Sequence, residues 1–465
     1  MKKTIYTLLF SAALIFGGCD SFLDVEPQQK IPAEDAYNKV SDAKAALNGL
    51  YNLLGQNEFA GTDVIAIGDF AADMSKADGS SGHFVAVNDY TVAEYTAEVE
   101  DVWEYGYSII SGATSLLMNI DELVAKYPTE VDEIILYQAQ AYGIRAYAYF
   151  LLVNLYGLPY GTDSNPHGGL VLMDEEPIPT ETTVSRSSVK ETYALILKDI
   201  KASMTAFSKT SGSLDQFYMN VAAVNALASR VSLFMGDFKG ARDYAVEALS
   251  IRGVTELSAT QYVSMWQSTA LTNEDIFTIA KTTDDNLSAN SLNTLYGSYG
   301  GALTASLISD FAETDIRLGL INTDNNHPKK FDGIPSSAAT SNVPQFRVSE
   351  MKLNIAEAEA NLDHLDEARK ALLFTAKRNT AIKVEADLPA EKSDLLAFIA
   401  KERKREFFCE GHRWFNARRT GELINVKNDK VTGYDVAKFV YPIPADEINS
   451  GYGCEQNEGW SNALP

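Results

Sequence analysis

Cysteine is scarce in this chain, with three among 465 residues at positions 19, 409 and 454. A disulfide framework is therefore excluded, since at most one bridge can form. Cys409 directly follows Phe407-Phe408 and reads as a buried thiol, though a bridge to Cys454 stays open. Positive charge is also short: 39 Lys and Arg face 63 Asp and Glu, a net charge of −24. So anionic a surface argues against nucleic acid and against docking on anionic lipid through charge. The five histidines (His83, His167, His327, His364, His412) are scattered without metal-ligand spacing. There is no Gly-rich phosphate loop and no G-x-S-x-G nucleophile elbow, so no catalytic residue, metal site or cofactor is expected. Beyond residue 18 no run approaches the ~20 apolar residues of a membrane-spanning helix.

What is present begins with a leader. In "SAALIFGGCDSFLDVEP" an apolar run ends at Gly17-Gly18-Cys19 and turns acidic, and Lys2 and Lys3 precede it. The run is too short to span a bilayer of roughly 30 Å. Residues 1–18 are expected to be a cleaved signal peptide, and residues 19–40 an anchor and tether. Small residues directly before a cysteine resemble the lipobox of bacterial lipoproteins, in which the thiol is acylated; an ordinary secretory signal is the alternative. Two acyl chains, at ~0.8 kcal/mol per buried CH2, would hold the protein on a membrane.

The whole chain is 46% hydrophobic and 22% charged, enough for a large core, and the periodicity beyond the leader is helical. In "YQAQAYGIRAYAYFLLVNLYG" Ile144, Tyr147, Leu151 and Leu155 recur at spacings of three and four, one buried helix face, before Gly157 and Pro159 stop the helix. "SRSSVKETYALILKDIKASM" opens on serines suited to capping and repeats the pattern through Val189, Tyr193, Ile196 and Ile200. Prolines and glycines between Gly157 and Thr180 exclude a helix there. "ALASRVSLFMGDFKGARDYAVEAL" and "LNIAEAEANLDHLDEARKALLFTA" both read helix, turn, helix, and resemble the tetratricopeptide unit; unrelated amphipathic hairpins are the alternative.

Two stretches have another character. Residues 68–103 and 281–307 are rich in Asp, Asn, Ser, Gly and Tyr and lack sustained periodicity. Long loops on a rigid scaffold commonly carry function. In "KERKREFFCEGHRWFNARR", Glu402, Glu406 and Glu410 interleave with Arg403, Arg405, Arg413 and Arg418. Paired carboxylates could suggest glycoside hydrolysis, but so many arginines would keep every carboxylate ionised, which favours a structural ion-pair network. Pro442 and Pro444 in "YPIP" lack donors, so an extended strap across the surface is expected there.

"CDSFLDVEP", "AQAYGIRAYAYFLLVNLYGLPY", "NEDIFTIA", "DFAETDIR", "FRVSEMKLNIAEAEA", "KERKREFFCEGHRWFNARRTGEL" and "FVYPIPADEINSGYGCEQNEGW" together resemble, in order, the blocks of the SusD/RagB proteins. These are surface nutrient-binding lipoproteins of some Gram-negative bacteria. Asn416 stands where the family usually has Asp, and Glu458 where Pro often follows Gln-Asn. The resemblance implies a mainly α, SusD-like fold in which tetratricopeptide-like helix pairs support a long-loop ligand face. It also implies an N-terminal part at 41–260 and a C-terminal part at 261–465, packed as one unit. Its implied function is capture rather than catalysis: a glycan, or in some members a peptide, is passed to a SusC-like TonB-dependent transporter barrel from a lipid anchor at Cys19 on the outer membrane, facing outward. A repeat scaffold that binds only protein is the runner-up. Family ligand residues lie outside the shared blocks, so the ligand site is read from chemistry alone: aromatic rings that stack on sugars, with Asp and Asn that bond hydroxyls. The candidates are Asp73, Phe84, Asn88, Tyr90 and Tyr95 in the first segment, and Asn293, Tyr296 and Tyr299 in the second. Trp103 is left to the core.

Overall fold

The computed structural model describes residues 36–162, 164–179 and 181–465. The leader, Cys19 and most of the tether lie outside the described residues. The fold is mainly helical, and among the described residues the strands form only short two-stranded pairs.

The N-terminal helices are α1 (Val40–Leu54), α2 (Asp63–Phe70), α3 (Ala97–Met118), α4 (Val131–Tyr156) and α5 (Val189–Phe207). The capping serine of α5 is Ser188, which forms a reciprocal box with Glu191. α4 ends at Gly157 as its sequence predicts, but it does not present a single buried face. From Ala139 to Tyr156 every residue except Tyr142 is buried, because α4 is packed between α3, α5 and α1. A helix that is apolar all round belongs at a centre. Its Arg145 is fully enclosed and meets Asp199 of α5 through two hydrogen bonds of 2.8 and 2.7 Å, and the Thr114 hydroxyl of α3 at 2.9 Å. One guanidinium thus ties three helices, and its charge is satisfied where water cannot reach.

The two repeat-like stretches fold as helix hairpins: α6 (Val221–Phe234) with α7 (Phe238–Arg252), and α8 (Val348–Asn361) with α9 (Leu365–Ala376). α7 packs on α8, so the hairpins stack. Buried alanines at 226, 228, 245 and 248 permit the close approach. Between the hairpins, β2 (Asp275–Ile279) pairs antiparallel with β4 (Val343–Arg347), and β1 (Ser75–Lys76) pairs with β3 (Ala302–Leu303). Two helices follow, α10 (Lys392–Glu406) and α11 (His412–Thr420).

One contiguous apolar cluster draws on residues from Val40 to Cys454. The segment from Phe439 to Pro444 is extended, as its prolines require, yet it is buried rather than laid across the surface. Its Tyr441 N–H donates to the Leu155 carbonyl at 3.0 Å. Cys409 and Cys454 are both buried free thiols. Among the described residues no helix is long and apolar enough to cross a membrane.

The Glu–Arg block is an ion-pair network, and it reaches further than its own helix. Glu406 is bound by Arg317 at 3.3 Å, by Arg347 at 3.0 Å and by Arg378. Glu402 meets Arg317 at 2.8 Å, and Glu410 meets Lys330 at 2.6 Å and Arg347 at 2.7 Å. Burial opposes the Glu406 charge, but Arg378 and Arg347 outweigh it and hold the carboxyl well below its usual range. A general acid needs the opposite shift. Arg418 departs from the expected pattern: it donates to the backbone carbonyls of Asn154, Gly157 and Phe439, not to a carboxylate.

Candidate functional site

The two irregular segments, residues 68–103 and 281–307, meet in space. The Ser75–Lys76 strand pairs with Ala302–Leu303, and the Thr304 N–H and hydroxyl donate to the Met74 and Asp73 carbonyls at 2.9 and 2.8 Å. Gly300 sits at φ +75°, and a Cβ there would lie 2.7 Å from Asp78 Oδ2, so both its conformation and its neighbour require glycine. The Asp78 carboxylate accepts from the Ser80 N–H at 3.0 Å and the Ser80 hydroxyl at 2.6 Å; these bonds lower its pKa.

Beneath this junction lies an aromatic stack. Phe70 of α2 lies between Phe84 (ring centroids 5.8 Å apart) and Tyr296 (5.5 Å), nearly parallel to both. The Tyr296 hydroxyl donates to Asp69 at 3.0 Å, and burial pushes the Asp69 carboxyl up to about 8. On the outer side His83 and Tyr299 form a parallel pair at 4.0 Å, and both rings are half-buried.

Most of the candidate residues face inward. Tyr296 and Asn88 are each only 2% exposed, and Phe84, Tyr90 and Asn293 are buried as well. Asn88 accepts the Ala77 N–H at 2.6 Å, Tyr90 donates to the Ala71 carbonyl, and Asn293 donates to the Ser341 hydroxyl at 2.9 Å. Asp73 is also occupied: Arg413 Nε lies 2.6 Å from its carboxylate and Lys404 Nζ 3.2 Å. Burial opposes that charge, but Arg413 and Lys404 hold the carboxyl below the usual range. These six side chains are spent on building the junction, five of them buried and Asp73 only slightly exposed. Residues chosen for sugar chemistry went inward because large aromatics and multivalent polar groups serve equally well to seal a long loop. Tyr299 is half-exposed, and Tyr95, in the turn leading into α3, is 77% exposed. Trp103 is buried, with its indole N–H 3.3 Å from Glu447. His83 was missed; a lone histidine in a loop carries no sequence signal that it will stack on a tyrosine two hundred residues away.

A second concavity of about 920 Å³ lies where α6, α8, α10 and α11 meet, floored by Phe234, Leu396 and Phe407. Most of its charges are paired, although Lys401 at its edge is exposed and forms no ion pair among the described residues. Glu357 binds Arg403 at 2.8 Å and Arg419 at 2.6 Å, Arg413 binds Glu422 at 2.6 Å, and Lys404 lies 3.3 Å from Asp310. Asn416, the departure from the family pattern, still accepts from Arg419 Nε at 2.8 Å.

Comparison with known proteins places these features in a family. Residues 21–233 match a SusD-like family described as starch-binding and associating with the outer membrane, and residues 319–460 match the SusD family. The chain belongs to the SusD/RagB family. It is 25% identical to the SusD-like protein P38 of Formosa agariphila, over 98% of this chain and 99% of that one. A SusD superfamily structure from Bacteroides vulgatus superposes with a TM-score of 0.79 at 24% identity, covering 91% of this chain and 99% of that one. A SusD-like carbohydrate binding protein of the same organism superposes with a TM-score of 0.72 at 20% identity, covering 83% of this chain and 84% of that one. The family is one of binding proteins associated with the outer membrane.

Proposed function

We propose that this SusD/RagB protein captures a glycan on the face where residues 75–84 and 296–303 meet, and delivers it to a SusC-like TonB-dependent barrel. Acylated Cys19 would tether it to the outer membrane, facing outward. The carrying observation is the half-exposed His83–Tyr299 pair, backed by Asp78 and a rigid buried stack. Aromatic faces stack on the C–H-rich faces of sugars, and a neighbouring carboxylate accepts their hydroxyls. The starch-binding description of the family matched over residues 21–233 supports a glycan as the cargo class. The groove between α6 and α11 is less suited, since most of its charged groups are already paired with one another. A site that only binds needs no titrating acid, and the one carboxylate trio the sequence offered for catalysis is spent on arginines and a lysine.

Isothermal titration with a panel of oligosaccharides and peptides tests the proposal. At least one oligosaccharide is expected to bind, and the His83→Ala/Tyr299→Ala double variant to lose about 1–3 kcal/mol of that affinity. Unchanged affinity in a folded double variant would move the site elsewhere, and binding of peptides alone would change the cargo. Co-purification from a gentle detergent extract should bring down a large β-barrel; its repeated absence would favour a protein-interaction scaffold.

A further inference from the structure

The groove among α6, α8, α10 and α11 leaves large apolar side chains open. Tyr160, Phe234, Met235, Phe238 and Leu396 line it and are only half-buried. Rings and aliphatic chains left open to a concavity of about 920 Å³ mark a site for an organic molecule, since such ligands occupy clefts of roughly 300–1,000 Å³. A smaller cavity of about 60 Å³ adjoins the groove, and the two share Leu233, Phe234, Arg403, His412 and Asn416 as walls. A cleft that continues inward in this way admits the end of a small molecule rather than the flat surface of a protein.

His412 stands where groove and cavity join. Its ring lies nearly parallel to that of Phe407, with centroids 4.3 Å apart, and its imidazole makes no hydrogen bond to another described residue. Burial, then Arg230 and Arg403, hold the imidazole well below its ordinary range, so at pH 7 it is a neutral aromatic wall with one N–H to donate. The unmatched charge lies at the rim instead. Five cationic and three acidic side chains line the groove, although the whole chain carries −24. Glu357 takes Arg403 and Arg419, Glu422 and Asp73 take Arg413, and Asp73 and Asp310 take Lys404. Lys401, exposed on α10, is left without an acidic partner among the described residues.

We propose that this groove is a second binding site, separate from the loop face, for an aryl carboxylate: an aromatic body laid along Phe234, Phe238 and Phe407 toward His412, with its carboxylate at Lys401. Walls built of rings favour an aromatic body through offset-stacked and edge-to-face contacts. An exposed ammonium holds the carboxylate at the edge of the groove, where the anion stays hydrated and no charge is buried. One unpaired lysine matches one negative charge, which favours a carboxylate over a phosphate monoester carrying about −1.5 to −2. The acids of the groove do not oppose it, because each is already neutralised by an arginine or a lysine.

The probe is 2-naphthylacetate, with 2-naphthylacetamide as the neutral control, each titrated calorimetrically into the purified protein at pH 7. The carboxylate should bind about two- to fivefold more tightly than the amide, the range of an exposed ion pair. Lys401→Ala should bring the two compounds to equal affinity. Ala397→Trp, which fills the groove from an exposed position on α10, should weaken both by at least about tenfold. Both variants should keep the Tm of the unsubstituted protein, since neither side chain is buried. The His83→Ala/Tyr299→Ala variant should bind both compounds unchanged, which separates this site from the loop face. The proposal is overturned by no binding of either compound at millimolar concentration, by equal affinity of carboxylate and amide for the unsubstituted protein, or by unchanged binding in folded Ala397→Trp. Loss of binding in His83→Ala/Tyr299→Ala would place the probe on the loop face and overturn it as well.

Discussion

Replacing Glu357 by glutamine removes one charge from the junction of three helices, and the structure says what that should cost. Glu357 projects from α8 and is held by Arg403 of α10 and by both Nη atoms of Arg419 of α11, at 2.6 to 2.8 Å. Burial opposes its ionisation, but Arg419 and Arg403 outweigh burial and bring the carboxyl from 4.5 to about 2. Each pH unit separating the two values is equivalent to about 1.4 kcal/mol, so the ionised form contributes about 3 kcal/mol. Because the folded value lies below the unfolded one, this contribution is complete above pH 4.5 and declines as pH falls toward 2. Glu357→Gln also leaves two buried guanidiniums undercompensated, a loss of about 3–5 kcal/mol at pH 7. Urea unfolding of both proteins at pH 7 and pH 3 measures it, and the gap between them should narrow by about 2 kcal/mol at the lower pH. A gap below about 1 kcal/mol at pH 7, or one that does not narrow, would refute the claim that this clasp is an energetically significant ion pair.

Other substitutions separate loop-building from ligand-holding. Tyr296→Ala should lower stability by about 3–5 kcal/mol, because it empties a buried ring position stacked on Phe70 and leaves Asp69 with only the Gly411 N–H as a hydrogen-bond donor; Tyr299→Ala should barely move the Tm, and equal Tm losses would count against the assignment of inner and outer rings. Gly300→Ala should cost about 1–3 kcal/mol through its left-handed backbone and the approach of Asp78, and loosen the 296–303 turn as read by amide exchange. Cys19→Ala should leave a folded protein that no longer partitions with membranes; recovery of the variant in the membrane fraction after a high-salt wash would exclude the lipid anchor.

Much of the scaffold was legible in the chain because its cues are local. Gly157 and Pro159 end α4, the Ser188–Glu191 box starts α5, and the short turns at Gly236 and Asp363 close the two hairpins, all within a few residues of sequence. The family blocks were legible for the same reason, and the interleaved Glu and Arg of α10 announced that charges would be paired. Which charges pair was not legible: Glu406 takes Arg317, Arg347 and Arg378 from three other segments, whereas Arg418 of its own block turns to backbone carbonyls. Nor could composition say which aromatics of a loop reach solvent. Phe84, Tyr90 and Tyr296 went inward and Tyr299 stayed at the rim, because that choice depends on where Phe70 and Asp69 of α2 come to lie. Local periodicity and capping are written in neighbouring residues; the partner of a buried charge and the exposed side of a ring are set only when distant segments close on one another and exclude water.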